Sequence, residues 1–127
     1  MELAAGLAGQ VEFGVTDADT AIAMGSGDVP VLGTPRLVAW AEAATVAAVA
    51  GHLDDGQTSV GTHVALRHRA PSTVGTTITV RAELIDVDGA LLRFAIVAHD
   101  GEHEIAQGEV ERAVVARDRF LGKVTRQ

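Results

Sequence analysis

The sequence predicts an α+β domain in which a curled antiparallel β-sheet wraps around one long central α-helix. Three observations point there. Residues 35–50 form one long Ala- and Val-rich segment that is apolar at almost every position. Four runs downstream, at 60–70, 76–87, 91–99 and 104–117, read as strands separated by Pro- or Gly-containing breaks. Hydrophobic residues make up 47% of the chain but aromatics only 3%, so the core has to be built from Ala, Val, Leu and Ile.

The elements follow in order. A short strand at 11–15 comes first. Thr34 and Pro35 open the helix: threonine is a good N-cap, and proline suits the first helical position, where its missing N–H costs nothing. The helix covers 35–50, and Gly51 is its natural stop. Arg36, Glu42 and Thr45 are the exceptions to its apolar surface, and a helix apolar all round is a buried helix. In the 60–70 strand, Val60, Thr62, Val64, Leu66 and His68 share one face, with Gly61, His63, Ala65, Arg67 and Arg69 on the other.

Residues 71–75 break that run. The 76–87 strand sets Ile78, Val80, Ala82 and Leu84 on one face. Asp88-Gly89 and Asp100-Gly101 are turn signals on either side of the 91–99 strand. Within the last strand Gly108 marks a bulge. The expected order is strand, loop, buried helix, then four strands in an antiparallel meander. One long helix inside such a sheet is the hotdog fold. One small sheet cannot cover a lone helix, so a homodimer is expected.

The chain has 127 residues, enough for a single domain over 1–127 whose folding buries roughly two-thirds of the unfolded surface. Ten Lys and Arg against seventeen Asp and Glu give a net charge of −7, which argues against nucleic-acid binding. There is no cysteine, which removes disulfides, thiolate nucleophiles and iron–sulfur clusters. The start lacks the basic flank of a signal peptide. The longest apolar stretch, 37–50, is broken by Glu42 and is too short to span a bilayer. A cytoplasmic protein with no membrane contact is expected. His52, His63, His68, His99 and His103 include no i, i+4 pair on a helix, so no metal site is expected.

Three residues carry candidate chemistry. Glu42 is the only acid in the helix; an ion pair on a wet strip explains it, and so does a base in an apolar pocket with a raised pKa. His68 shares the inward face with Val64 and Leu66, where a core histidine is the ordinary reading and a proton-transfer group the sharper one. Capping alone explains Thr34, but the same helix N-terminus would also polarise a thioester carbonyl. Gly33 would let a ligand approach the backbone closely. Arg67 and Arg69 on the outward face read as solvated surface residues, with contact to a ligand phosphate as the sharper reading.

Gly33-Thr34, Glu42 eight residues later, and Val60-Gly61-Thr62 followed by His68 form a joint pattern. Ala98-His99-Asp100-Gly101, Glu104-Ile105, Glu111-Arg112-Ala113-Val114 and Phe120 with Lys123-Val124 extend it. Over residue 32 to the C-terminus the sequence resembles the hotdog thioesterases related to fluoroacetyl-CoA thioesterase. The resemblance implies hydrolysis of an acyl-CoA by a Thr, a Glu and a His, which fall on Thr34, Glu42 and His68. It implies substrate contacts at Gly61, and no cofactor beyond the coenzyme A of the substrate. The fluoroacetyl-CoA-hydrolysing enzyme of that family carries a pair of lid phenylalanines ahead of its threonine, whereas residues 21–32 here contain no aromatic. A short acyl group other than the fluorinated one is therefore expected.

A regular helix separates Thr34 and Glu42 by about 12 Å along its axis, so either the Thr34 end is not helical or the site combines two chains, and the second is expected. Two other readings compete. One is a hotdog hydratase or dehydratase. The other is a non-catalytic dimer that binds an acyl-CoA or a small apolar ligand.

Overall fold

A computed structural model describes residues 2–124. Strand β1 (Ala8–Gly14) leads through a 3-10 turn at Asp17–Asp19 and a four-residue helix α1 (Ala21–Met24) to the long helix α2 (Thr34–Val49). Strands β2 (Gln57–His68), β3 (Thr77–Asp88), β4 (Leu91–Asp100) and β5 (His103–Ala116) follow, then the short helix α3 (Arg117–Gly122). The five strands form one antiparallel sheet in the order β1-β3-β4-β5-β2.

The expected four-strand meander holds for three strands only. Tight turns after Asp88 and Asp100 join β3 to β4 and β4 to β5, as two-residue hairpins require. The 69–76 connection is longer and contains Pro71. It carries the chain across the sheet, so β2 pairs with β5, with Gln57 opposite Ala116 and His68 opposite Ala106. That makes β2 an edge strand.

Helix α2 lies mainly over β1 and β3. Leu37, Trp40, Ala41, Ala44, Ala48 and Val49 are buried against Ile78, Val80, Ala82, Leu84, Phe94 and Ile96, so the alternation read in β3 is the core alternation. Trp40 stacks on Phe13 with ring centroids 4.5 Å apart and planes 5° from parallel. A Cβ at Gly9 would stand 2.8 Å from the Ala44 carbonyl oxygen. The β1 backbone therefore rests directly on the helix, which glycine and alanine together permit.

The helix is not buried all round. Val46 is 50% exposed, and Ala39 and Ala47 are exposed with it. The sheet covers one side only. Thr45, by contrast, is fully buried, and its hydroxyl donates to the Glu42 carbonyl at 2.6 Å.

Two irregularities differ from the sequence reading. Gly108 is not a bulge: it stays in register opposite Ile96 and Leu66. The shift in β5 lies beside Ala98 and His99, where His99 pairs with Glu104 and Ala98 with Ala106. Glycine is needed at 108 because a Cβ there would overlap the Ala65 carbonyl oxygen and approach Leu66 Cα to 2.8 Å. The second irregularity is in β2, between Gly61 and His63. Thr62 is the extra residue, and it shifts the alternation, since an inserted residue changes which side chains face inward.

Candidate active site

Gly33, not Thr34, is the N-cap of α2, and it caps with no side chain. Thr34 is the first helical residue and Pro35 the second. The Thr34 hydroxyl is thereby released from capping, and it meets His68 instead, Oγ1 to Nδ1 at 2.8 Å.

The backbone at this helix end is mostly committed. The Gly33 amide donates to the Asp19 carbonyl at 2.9 Å, and the Arg36 and Leu37 amides return to the Gly33 carbonyl at 3.1 and 3.2 Å. Pro35 has no N–H. Among the described residues the Thr34 amide has no hydrogen-bond partner. Where Gly33 lacks a side chain, a Cβ would sit 3.2 Å from the Ala21 backbone and from Ser26 Oγ. Close packing of the preceding segment is therefore a sufficient reason for that glycine.

His68 ends β2, half-buried on the inward face with Val64 and Leu66. Burial pushes its pKa below the usual 6.5, and the Ala70 backbone opposes part of that shift. Its Nε2 is buried and makes no hydrogen bond among the described residues. At neutral pH the ring is uncharged and able to take a proton.

Thr34 and His68 open into a cavity of about 380 Å³ walled by Ala21, Val29, Arg69 and Pro71. Residues 20–33 form a strap across it. The Ala21 amide donates to the Val31 carbonyl at 2.8 Å, and the Leu32 amide to the Ser72 carbonyl at 2.8 Å. Asp19, nearly buried, pairs with Arg36 Nε at 2.8 Å and so ties the strap to α2.

Glu42 lies elsewhere. Its Oε2 is 3.5 Å from Arg112 Nη1, and the carboxylate side chain is 37% exposed against 8% for the arginine. The apolar pocket considered for Glu42 is thus replaced by a half-open site beside a cation. Arg112 is held by Ser59 through two bonds of 2.9 Å, Nε to Oγ and Nη2 to the carbonyl. Burial lowers the Arg112 pKa and Glu42 works against it, yet a guanidinium keeps its charge at physiological pH.

The bulge at Thr62 places Gly61 here too. A Cβ at Gly61 would overlap Glu42 Oε2 and stand 3.7 Å from Arg112 Nη1. Gly61 therefore faces inward, not outward with Arg67 and Arg69 as strict alternation implied.

Within one chain the three candidate residues fall in two places. Thr34 and His68 make one group; Glu42, Gly61 and Arg112 make the other, about 12 Å further along α2. Sequence reasoning missed the role of Arg112. The available signal was an arginine in line with Val110 and Val114 on an otherwise inward face. His63 pairs with Glu111 at 3.4 Å on the surface. Among the described residues no three His, Asp or Glu side chains gather as a metal group, and no helix is long and apolar enough to cross a membrane.

This architecture has named counterparts. Residues 15–118 match the family model described as fluoroacetyl-CoA-specific thioesterase. The chain is 42% identical over 94 residues to the fluoroacetyl-CoA thioesterase of Streptantibioticus cattleyicolor, an alignment spanning 74% of this chain and 68% of that protein. A solved structure of the fluoroacetyl-CoA thioesterase FlK superposes with a TM-score of 0.92 at 33% identity, covering 100% of this chain and 98% of that one. A hot-dog-like protein from Thermanaerovibrio acidaminovorans shares the fold at a TM-score of 0.88 and 22% identity, covering 96% and 90% of the two chains. The chain therefore belongs to the family of fluoroacetyl-CoA-specific thioesterases, hotdog-fold enzymes of acyl-CoA thioester hydrolysis.

Proposed function

We propose that the protein is a cytoplasmic, homodimeric thioesterase that hydrolyses a short acyl-CoA to a carboxylic acid and free CoA, each active site being shared between two chains. The observation that carries the reading is the 2.8 Å contact between Thr34 Oγ1 and His68 Nδ1 at the wall of a cavity. A hydroxyl within hydrogen-bond reach of a neutral imidazole is the recurring arrangement of an activated nucleophile. His68 takes the Thr34 proton as Oγ1 attacks the thioester carbon, and the Thr34 amide meets the oxyanion. The C–S bond breaks, and His68 returns the proton to the departing thiolate. Water then hydrolyses the acyl-threonine, with Glu42 directing it. No cofactor enters apart from the CoA of the substrate.

The separation of the two groups supports a dimer. Edge strand β2 has one unpaired side, and α2 leaves Val46 and its neighbours uncovered. A two-fold axis near Val64 and Ala65 would pair the two β2 strands and bring His68 towards Gly61 of the partner subunit. That would complete each Thr34–His68 pair with Glu42 of the partner subunit. In a two-fold interface each chain gives what it receives, so every dimer has two such sites.

The strap of residues 20–33 carries Val29 and Val31 but no aromatic ring, which favours a short aliphatic acyl group over fluoroacetyl. Thiol release from a panel of short, branched and aromatic acyl-CoAs tests the activity, with Thr34→Ala, Glu42→Gln and His68→Ala alongside. Co-expressed Glu42→Gln and His68→Ala chains test the shared site. If the site spans two chains, each mixed dimer has one intact site of two. The random mixture, about half of it mixed dimers, then restores about a quarter of wild-type activity, and none if the site lies within one chain. Saturable binding of CoA esters by folded wild type, without thiol release, would favour a binding module instead.

A further inference from the structure

An acidic chain that takes a CoA ester has an electrostatic difficulty. Its net charge of −7 repels the phosphates of CoA at long range, so local cations free of carboxylate partners have to receive them. The structure sorts the arginines. Arg36 is paired with Asp19, Arg81 with Glu83, Arg93 with Glu109 and Arg112 with Glu42. Among the described residues, Arg67, Arg69, Arg117 and Arg119 make no ion pair.

Two of these four stand beside the candidate chemistry. Arg67, in β2, and Arg69, one residue past its end, flank His68 in sequence, and both are exposed. Residues two apart in extended chain lie about 7 Å apart, a spacing that two long side chains can bridge to adjacent phosphates. Arg69 is also part of the cavity wall that holds Thr34 and His68. Arg67 borders a separate groove of about 390 Å³ with Ala65, Leu66, Gln107 and Gly108. Its direct neighbour across the ladder is Gln107, which is neutral.

We propose that Arg67 and Arg69 form the phosphate-binding subsite for the CoA moiety, at the mouth of the Thr34–His68 cavity. The inference rests on the thioesterase reading above. The pantetheine arm is long enough to seat the thioester against Thr34 while the phosphates remain outside. Arg69 at the mouth and Arg67 one step further on are placed to meet them as they emerge. Guanidinium–phosphate contacts are charge-assisted, and the planar fork suits two phosphate oxygens at once. Arg117 and Arg119 lie on α3, at the far end of β2 in the same chain, and are the rival pair.

The test compares the same short acyl group on CoA, on dephospho-CoA and on pantetheine. The Arg67→Ala/Arg69→Ala variant is set beside wild type and Arg117→Ala/Arg119→Ala. The proposal expects KM for the acyl-CoA to rise about tenfold or more in the first variant with kcat little changed. Hydrolysis of the pantetheine ester, which has no phosphates, is then unaltered. A penalty that persists on acyl-dephospho-CoA assigns the contact to the diphosphate, and one that vanishes assigns it to the 3′-phosphate; both support the subsite. Equal losses on CoA and pantetheine esters, no loss on either, or a loss confined to the α3 variant would overturn it. Wild type inactive on every ester would overturn the thioesterase reading itself, a result separable from loss of the subsite alone.

Discussion

Thr34 and His68 are 34 residues apart in the chain and are joined by a 2.8 Å hydrogen bond between Oγ1 and Nδ1. The bond exists because the helix begins one residue earlier than capping preferences suggest. With Gly33 as N-cap, the threonine side chain turns to the end of β2 rather than back to its own helix. The first two predictions follow from this pair.

Replacing Thr34 should separate activity from stability. Since its hydroxyl caps nothing and the residue is exposed, Thr34→Ala should change unfolding free energy by no more than about 0.5 kcal/mol. Activity should fall by about 10²-fold or more. Thr34→Ser keeps the hydroxyl and should retain most of it. Denaturant unfolding and thiol release on the same preparations check both. A large stability loss in Thr34→Ala would show that the hydroxyl supports the fold instead.

The acid limb of the pH profile should report His68. Burial lowers its pKa from 6.5 in the folded protein, so the neutral form needed to accept a proton persists below that pH. The limb of kcat/KM should have its midpoint below 6.5 and should vanish in His68→Gln. The same shift has a stability consequence. Between the folded-state pKa and 6.5 the unfolded chain binds more protons, so stability falls as pH drops through that window. Unfolding measured from pH 7 downwards should show this fall in wild type, with a smaller one in His68→Gln.

Two glycines should respond in opposite ways. A Cβ at Gly61 meets the far end of the Glu42 side chain, which is flexible and part-exposed. Gly61→Ala should therefore fold well yet lose activity tenfold or more, because the carboxylate is displaced from Arg112. A Cβ at Gly108 meets the Ala65 carbonyl and Leu66 Cα, which are backbone. Gly108→Ala should destabilise by about 1–3 kcal/mol. Denaturant midpoints for both variants decide the matter, and equal destabilisation would contradict the facing inferred for Gly61.

How much of this was legible beforehand depends on the range of the interaction. The existence of the helix, the hairpin turns and the core face of β3 follow from local periodicity and stand as read, while the helix's full burial and its Thr34 cap do not. The partner of β2 does not, because pairing with β5 instead of β3 is decided by a crossing that no local pattern encodes. The bulge at Thr62 defeats period-two counting in the same way, and it moved Gly61 to the wrong face. A glycine inside a strand pattern is itself a bulge signal, but Gly108 carried that signal without being one. Thr34 shows the limit of capping preference: the N-cap role that preference gives it belongs to Gly33.

Arg112 is the residue where pairing and geometry are most tightly joined, and its conservative replacement should be damaging. It donates to Ser59 twice and lies 3.5 Å from Glu42, from a side chain only 8% exposed. Lysine keeps the charge but is a single point donor, so it cannot hold the Ser59 hydroxyl, the Ser59 carbonyl and the carboxylate in one plane. Arg112→Lys should leave a buried acceptor unsatisfied at a cost of about 1–3 kcal/mol. Activity should fall about tenfold or more, since Glu42 loses its fixed partner. If the effect runs through Glu42, then Arg112→Lys should cost much less activity in a Glu42→Gln background, measured as a double-mutant cycle. Independent, additive losses would mean that Arg112 supports β2 and β5 through Ser59 and has no part in positioning Glu42.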